Sequence, residues 1–508
     1  MKTNPELPGP VGRAELKSGD PAVTGGARRK AGKAVLYVIL PLVLFASFIR
    51  LFPVHSVCIG KFRPTKPKTI DERVEQILRH TPLIDGHNDL AIFIRAFYNN
   101  HIYNETFSEP FAQGGLPGHV DIPRLQAGMN GGAFWSVFWP CPVNGTDFSD
   151  ENYHSTVQQT LQQIDLLARL RHSHPSVFSP PTLTSTEALH RFRHSQHNNH
   201  HHHHHGHPQL ISPLGIEGLH QIGNSAAVLR QFHALGVRYA TLTHNCGNRF
   251  ADAALHERPL RRAAPFWGGL SPAGRRLVRE MNRLGMIVDL AHTSVDTMLD
   301  VLGGGGGGGE GWEGSGDGGG GGGGGDDGEG WEGSEAPVVF SHSSAYALCP
   351  HPRNVPDEVL DLVGRKRGLV MVNFNPDFIS CVEAPDRDDG LPEFYAKNAT
   401  LQQVARHVLY IGERIGFDHV GLGSDFAGIV HVPEGLEDVS KFPDLVAELL
   451  RQGVSDRDAA KVVGGNMLRV WGEVEAVAQE MQKRGEPVLE DELPSLWSPG
   501  YRGTEKEL

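Results

Sequence analysis

Downstream of residue 80, short apolar runs alternate with amphipathic segments along almost the whole chain. The runs predicted as strands are Leu83–Asp85, Ala133–Phe138, Leu210–Ile216, Val237–Thr243, Met286–Leu290, Val338–Phe340, Leu369–Phe374 and Val420–Gly423. They are nearly continuous in hydrophobicity, the pattern of strands buried on both faces. The segments between them carry helix start and stop signals. Ser271-Pro272 supplies an N-cap and a first-turn proline for a helix that ends at Leu284, before Gly285. Ser225 opens a helix closing at Leu235-Gly236, and Thr400 opens one closing at Ile415-Gly416. Eight strands with helical crossovers predict an α/β fold, a (β/α)8 barrel of the TIM type. An open doubly wound sheet is the alternative, but no Gly-x-Gly-x-x-Gly follows the first strand.

Two low-complexity tracts interrupt the pattern. His194 to His207 holds nine of the 28 histidines, and Gly303 to Glu335 holds 21 of the 62 glycines with eight acidic residues. Both read as insertions in a barrel spanning 70–475, followed by a C-terminal tail, 476–508. Loops accept length cheaply, so the histidine tract is expected to be a tolerated insertion, with zinc buffering as its alternative. Setting the eight acids aside takes the net charge from −12 to −4, so the acidic balance belongs mostly to one tract. No basic run marks the body of the chain as a nucleic-acid partner.

The N-terminus sets the expected compartment. Residues 1–33 are polar and rich in Pro and Gly, and read as a disordered cytosolic tail. Residues 34–54 form an apolar run behind Arg28, Arg29, Lys30 and Lys33, which predicts a signal-anchor with the catalytic body outside, at the cell surface or in the secretory pathway. A cleaved signal peptide is the competing reading. The sequons at Asn104, Asn144 and Asn398 all lie downstream, as glycosylation would require. The C-terminus carries no lipid-anchor signal. Of five cysteines, Cys58, Cys141, Cys246, Cys349 and Cys381, an oxidising compartment would pair four. The alternative is five buried thiols. No Cys-x-x-Cys spacing supports a thiolate zinc site.

The residues at and just past the strand ends carry the chemistry. The first strand ends in Asp85-Gly-His87-Asn-Asp89, the third in Glu217, the fourth in His244, the fifth in His292, the sixth in His342 and the eighth in Asp425. In a barrel these C-terminal ends converge on one face, where active sites lie. Singly, each has a bland explanation as a hydrogen-bonded or surface residue; six together do not. His87 and Asp89, two apart, are expected on one strand face. Imidazoles and carboxylates without thiolates suit zinc in a hydrolytic site. Two ions sharing a carboxylate activate a water and stabilise the tetrahedral intermediate formed from a carbonyl.

The stretches Leu83-Ile-Asp-Gly-His-Asn-Asp89, Gly215-Ile-Glu-Gly218, Arg238-Tyr-Ala-Thr-Leu-Thr-His244, Ser341-His-Ser-Ser-Ala-Tyr346, Arg353-Asn-Val-Pro-Asp357 and Gly421-Leu-Gly-Ser-Asp425 resemble the membrane (renal-type) dipeptidases, from about 70 to 475. The resemblance implies a zinc dipeptidase acting through a metal-bridging hydroxide, with two zinc ions per subunit and a homodimer. His87 and Asp89 would hold one ion, His292 and His342 the other, and Glu217 both. His244 would steady the developing oxyanion and orient substrate, Arg353 would take the dipeptide's carboxylate, and Asp425 would transfer a proton. Implied substrates are dipeptides, including cysteinyl-glycine conjugates, and some β-lactams. The pairs Cys141–Cys246 and Cys349–Cys381 are implied as well, leaving Cys58 over. This chain departs from the family in Leu219, a bulky residue where glycine is usual and expected beside the site, and in Ala427, where an acid is common. A late cysteine that links subunits in some relatives is absent too. The rival readings are a catalytically degenerate cell-surface binding protein on the same fold and a related amidohydrolase acting on another amide.

Overall fold

All eight expected strands form, and they pair in chain order in one parallel sheet. They are β1 (Leu83–Asn88), β2 (Asn130–Ser136), β3 (Leu214–Glu217), β4 (Val237–Thr241), β5 (Ile287–Asp289), β6 (Val339–Phe340), β7 (Leu369–Val372) and β8 (Val420–Leu422). The computed structural model describes residues 68–179, 184–201, 208–304 and 331–493, with backbone alone for 195–201. Closure comes just beyond the strands: Asn88 bridges Phe426 in parallel, and the Asp425 N–H donates to the His87 carbonyl at 3.1 Å. The barrel is therefore nearly closed, with its first and last strands as neighbours. The three helices whose signals were plainest run Ala226–Ala234, Pro272–Leu284 and Leu401–Ile415, with Ser225, Ser271 and Thr400 as side-chain caps.

The barrel interior is filled by Ile84, Phe134, Tyr239, Ile287, Val339 and Met371, and Met467, Val470 and Trp471 pack into the same cluster. Gly215 makes room for Tyr239: a Cβ there would lie 2.2 Å from the Tyr239 ring. Tyr239 can thus cross the barrel from β4 to β1. Leu219 is buried in the main core rather than presented to the site, so the bulk expected beside the ligands is absorbed by packing.

Three boundaries move. The helix Asn466–Lys483 runs straight through the expected end of the barrel at 475. Beyond it, Asp491 accepts hydrogen bonds from Ser225 and from the Ala226 and Ala227 N–H groups, so the tail caps a barrel helix. The helix Ser185–His201 carries the first half of the histidine tract, which is therefore not all loop. Residues 1–67, including the apolar run and Cys58, lie outside the described residues; among those described, no helix is long and apolar enough to cross a membrane.

The third boundary is the glycine tract. Gly303 closes the helix Val295–Leu302 in a left-handed conformation, and its backbone abuts Gly333 so closely that a Cβ on Gly333 would meet it at 2.6 Å. Trp331 packs on the core and donates its indole N–H to the Asp300 carbonyl (2.9 Å), and Ser334 is buried. Both edges of the tract therefore belong to the barrel, and the insertion narrows from 303–335 to 305–330, which lies outside the described residues. Glycines and like charges bury little apolar surface. Replacing 305–330 with Gly-Gly should leave Tm and turnover unchanged, whereas removing 303–334 should cost on the order of 2 kcal/mol through loss of the Trp331 contact. Thermal melts of the two deletions check this; equal melts would return Trp331 to the spacer.

Candidate active site

The strand ends bring the expected residues together. His87 lies on β1, and Asp89 follows as the N-cap residue of the helix Leu90–Tyr98, one step past the strand rather than on its face. Glu217 ends β3. His292, His342 and Asp425 follow β5, β6 and β8. His292 and Asp425 have φ of 67° and 65°, left-handed values that non-glycine residues hold only where surroundings over-determine them. Ligand atoms of His87, Asp89 and Glu217 lie within 4.8 Å of one another, as do those of Glu217, His292 and His342. Glu217 is common to both groups: its Oε1 stands 3.6 Å from His87 Nε2, 3.0 Å from His292 Nε2 and 3.4 Å from His342 Nε2. All five are buried.

Hydrogen bonds behind the histidines decide which ring nitrogen faces inward. His87 Nδ1 meets the Tyr239 hydroxyl at 2.8 Å. His292 Nδ1 meets Asn245 Oδ1, an acceptor, at 2.9 Å, so Nδ1 carries the proton. Ser341 Oγ donates its one proton to Asp289 Oδ2 (2.6 Å) and must therefore accept from His342 Nδ1 (2.8 Å). Both remaining Nε2 atoms are then lone pairs, and they face each other at 3.0 Å. Two acceptors at hydrogen-bond distance with no proton between them repel, and a cation relieves that. Asp89 Oδ1, also buried, has no hydrogen-bond partner. The residues fit metal ions, and Tyr239, Asn245 and Ser341 are the outer partners such ligands need.

The electrostatics agree. Burial, Arg353 and the neighbouring imidazoles hold His292 and His342 well below the ordinary histidine pKa, in the neutral form a ligand requires. Burial opposes charge on His87, but Tyr239 and the Glu217 and Asp89 carboxylates outweigh it and raise its pKa. Burial pushes the Asp425 carboxyl up to about 7, against the pull of His87 and with the repulsion of Asp89 and Glu217. Asn373 Nδ2 donates to Asp425 Oδ2 at 3.0 Å and fixes its orientation.

Arg353 lies in the loop after β6, 1% exposed, with Nε and Nη2 unpartnered and Nη1 only 3.4 Å from Ser343 Oγ. Its guanidinium stacks over Phe378 at 5.2 Å. His244 packs against His292, with ring centroids 4.4 Å apart. The disulfides form as expected, Cys141–Cys246 and Cys349–Cys381. Cys141 and Cys246 come near His220, but their sulfurs are bonded to each other and not free to ligate. Asn104, Asn144 and Asn398 are all exposed. Reading the sequence missed Tyr239, Asn245, Asp289 and Asn373. Asp289 did leave a signal, a carboxylate inside the apolar run Ile287–Leu290.

Two buried histidines outside this cluster predict acid lability. His407 accepts from the Ala345 N–H at Nδ1 (3.0 Å) and donates from Nε2 to the Ile379 carbonyl (2.9 Å), an arrangement only the neutral ring satisfies. Burial lowers His407 and His220 each to about 4. Below pH about 6.5 the unfolded chain takes up these protons and the folded chain does not. Stability should thus fall between pH about 6.5 and 4, by up to roughly 3 kcal/mol per histidine. Tm followed across that window should fall less in His407→Gln than in the wild type; equal falls would clear His407 of the effect.

The sequence profile of the membrane dipeptidases, peptidase family M19, matches residues 71–485. Dipeptidase aclJ of Aspergillus oryzae is 44% identical over 408 residues, covering 80% of this chain and 82% of its own. Dipeptidase tcpJ of Claviceps purpurea is 42% identical over 424 residues, 84% of each. Among solved structures, a metallo peptidase from Rhodobacter sphaeroides, liganded with a phosphinate mimic of the dipeptide L-Ala-D-Ala, superposes with a TM-score of 0.58 at 25% identity, over 78% of this chain and 99% of that one. With the strand order, the shared glutamate and these likenesses together, the chain belongs to the membrane dipeptidase family and is a metal-dependent dipeptidase.

Proposed function

We propose that the protein is a binuclear zinc enzyme that hydrolyses free dipeptides, cysteinyl-glycine conjugates among them. His87, Asp89 and Glu217 would hold one ion, and His292, His342 and Glu217 the other. Bound there, the two ions supply Lewis acidity and a water that is nucleophilic at neutral pH. The chain's own residues do the rest. Arg353 takes the substrate's C-terminal carboxylate in its planar fork. His244 orients the scissile peptide and steadies charge developing on its oxygen. Asp425, held by Asn373, passes a proton toward the leaving amine.

The observation that carries this reading is the bare guanidinium of Arg353. A buried cation with two unpartnered nitrogens is costly unless an anion completes it. The dipeptide mimic bound by the Rhodobacter relative supports the same substrate class. The exposed sequons and two disulfides support a secretory or cell-surface location, with membrane attachment through residues 34–54 and a homodimeric assembly as further parts of the proposal. A panel of dipeptides, tripeptides and dipeptide amides, with and without chelator, tests it. Chelator-sensitive turnover confined to free dipeptides is expected; equal rates on amides would shift the reading to another amidohydrolase.

A further inference from the structure

The two metal groups are unequally equipped. His87, Asp89 and Glu217 bring two carboxylates, whereas His292 and His342 bring none of their own and share only Glu217. Asp425 also approaches His87 and His342, but Asn373 holds it by Oδ2. The partners behind the imidazoles differ too. Tyr239 behind His87 and Asn245 behind His292 are neutral groups. Behind His342 stands Ser341, and behind Ser341 the buried carboxylate of Asp289. Asp289 accepts four hydrogen bonds: from the N–H groups of Ala291 (3.0 Å) and Ser341 (2.8 Å), and from the hydroxyls of Thr241 (2.5 Å) and Ser341 (2.6 Å). Four donors fill both its oxygens, so it is an acceptor only, an anion.

From this we infer that the two metal positions differ in affinity: His87–Asp89–Glu217 binds first and tightly, His292–His342–Glu217 second and weakly, and Asp289 sets the second affinity through Ser341 and His342. The inference rests on the two-ion reading above. An anion relayed through a hydroxyl to Nδ1 makes Nε2 the stronger donor, which offsets the missing carboxylate. Asp289 and Ser341 are positioning residues, which would act on an ion only through the His342 ring.

The test is zinc binding to the full-length chain, stripped by chelator, with the nine histidines of 194–207 changed to asparagine so that the tract does not compete. Graded competition with a chromophoric chelator reads both affinities without recourse to activity. Two steps at least about tenfold apart are expected. Ser341→Ala and Asp289→Asn should weaken the second step by about 10- to 100-fold and leave the first within about threefold. Thr241→Val removes another buried hydroxyl from the same carboxylate but no link to an imidazole, and should leave both steps within about threefold. Circular dichroism and Tm of the zinc-free variants confirm folding, with Ser341→Ala as the milder change if Asp289→Asn does not fold. Two equal steps, or a folded Ser341→Ala with both affinities unchanged or only the first weakened, overturn the inference. A chain that binds two zincs equally and cleaves dipeptides sinks this inference alone, whereas one that retains no zinc sinks the two-ion reading beneath it.

Discussion

Glu217→Gln is expected to cut dipeptide turnover by about a thousandfold and to leave fewer than two ions on each chain. Among the described residues, its Oε1 is the one carboxylate oxygen within 3.6 Å of all three inward-facing imidazole nitrogens. Glutamine keeps the shape but removes the charge and replaces one acceptor oxygen with a donor. In the proposed two-ion site the dications would then repel with no shared anion between them, and losing one member of a buried charge cluster costs about 3–5 kcal/mol. The fold does not depend on this charge. Burial already raises the Glu217 pKa, so in the metal-free protein its charge is a burden, and the metal-free variant should melt no lower than the wild type. Metal analysis, turnover and a melt of the stripped protein together make the check. Near-normal turnover with two ions bound would remove Glu217 from its place between them.

Why were the strands and the five clustered side chains legible in the sequence when their supports were not? The strands announce themselves because a parallel barrel buries both faces, leaving runs such as Leu369–Val372 with no polar alternation to confuse them. The proposed ligands stand at the ends of those runs, where topology gathers them on one face. Tyr239 acts across the barrel, and Asn245 and Asn373 act on the end of the neighbouring strand, yet all are distant along the chain: Tyr239 and His87 are 152 residues apart, and Asn373 and Asp425 are 52. Nothing local marks such a partnership. Tyr239 in particular reads as one more β-forming aromatic in an apolar run, and only the space left by Gly215 on the next strand lets its hydroxyl reach His87. The boundary errors have a different origin. Composition alone cannot tell that Trp331, inside a glycine-rich tract, finds a carbonyl and a core surface, or that Asp491, beyond the last strand, caps a helix 265 residues earlier.

Arg353→Ala should separate binding from metal chemistry. Arg353 touches none of the five ligands through a hydrogen bond; its one such bond through a side-chain nitrogen is the long contact to Ser343. Metal content should therefore stay at the wild-type level. The guanidinium remains charged at neutral pH, since burial lowers its pKa only to about 10 while Asp425, Glu217 and Asp289 oppose the fall. It waits, desolvated, for an anion. Truncating one side of a buried charge pair costs about 2–5 kcal/mol, so kcat/KM for a free dipeptide should drop by roughly 30- to several-thousand-fold. A dipeptide amide never gains that interaction, so its turnover, already poor, should fall much less, and the preference for the free carboxylate should collapse. Lysine should not rescue, because a point charge cannot reproduce two parallel donors. Stability should move the other way. Arg353→Met fills the same space over Phe378 without the cost of an unpaired buried cation, and its substrate-free form should melt at or above the wild-type temperature. Equal losses on the free dipeptide and the amide in Arg353→Ala would show that the guanidinium supports the site rather than holding the substrate.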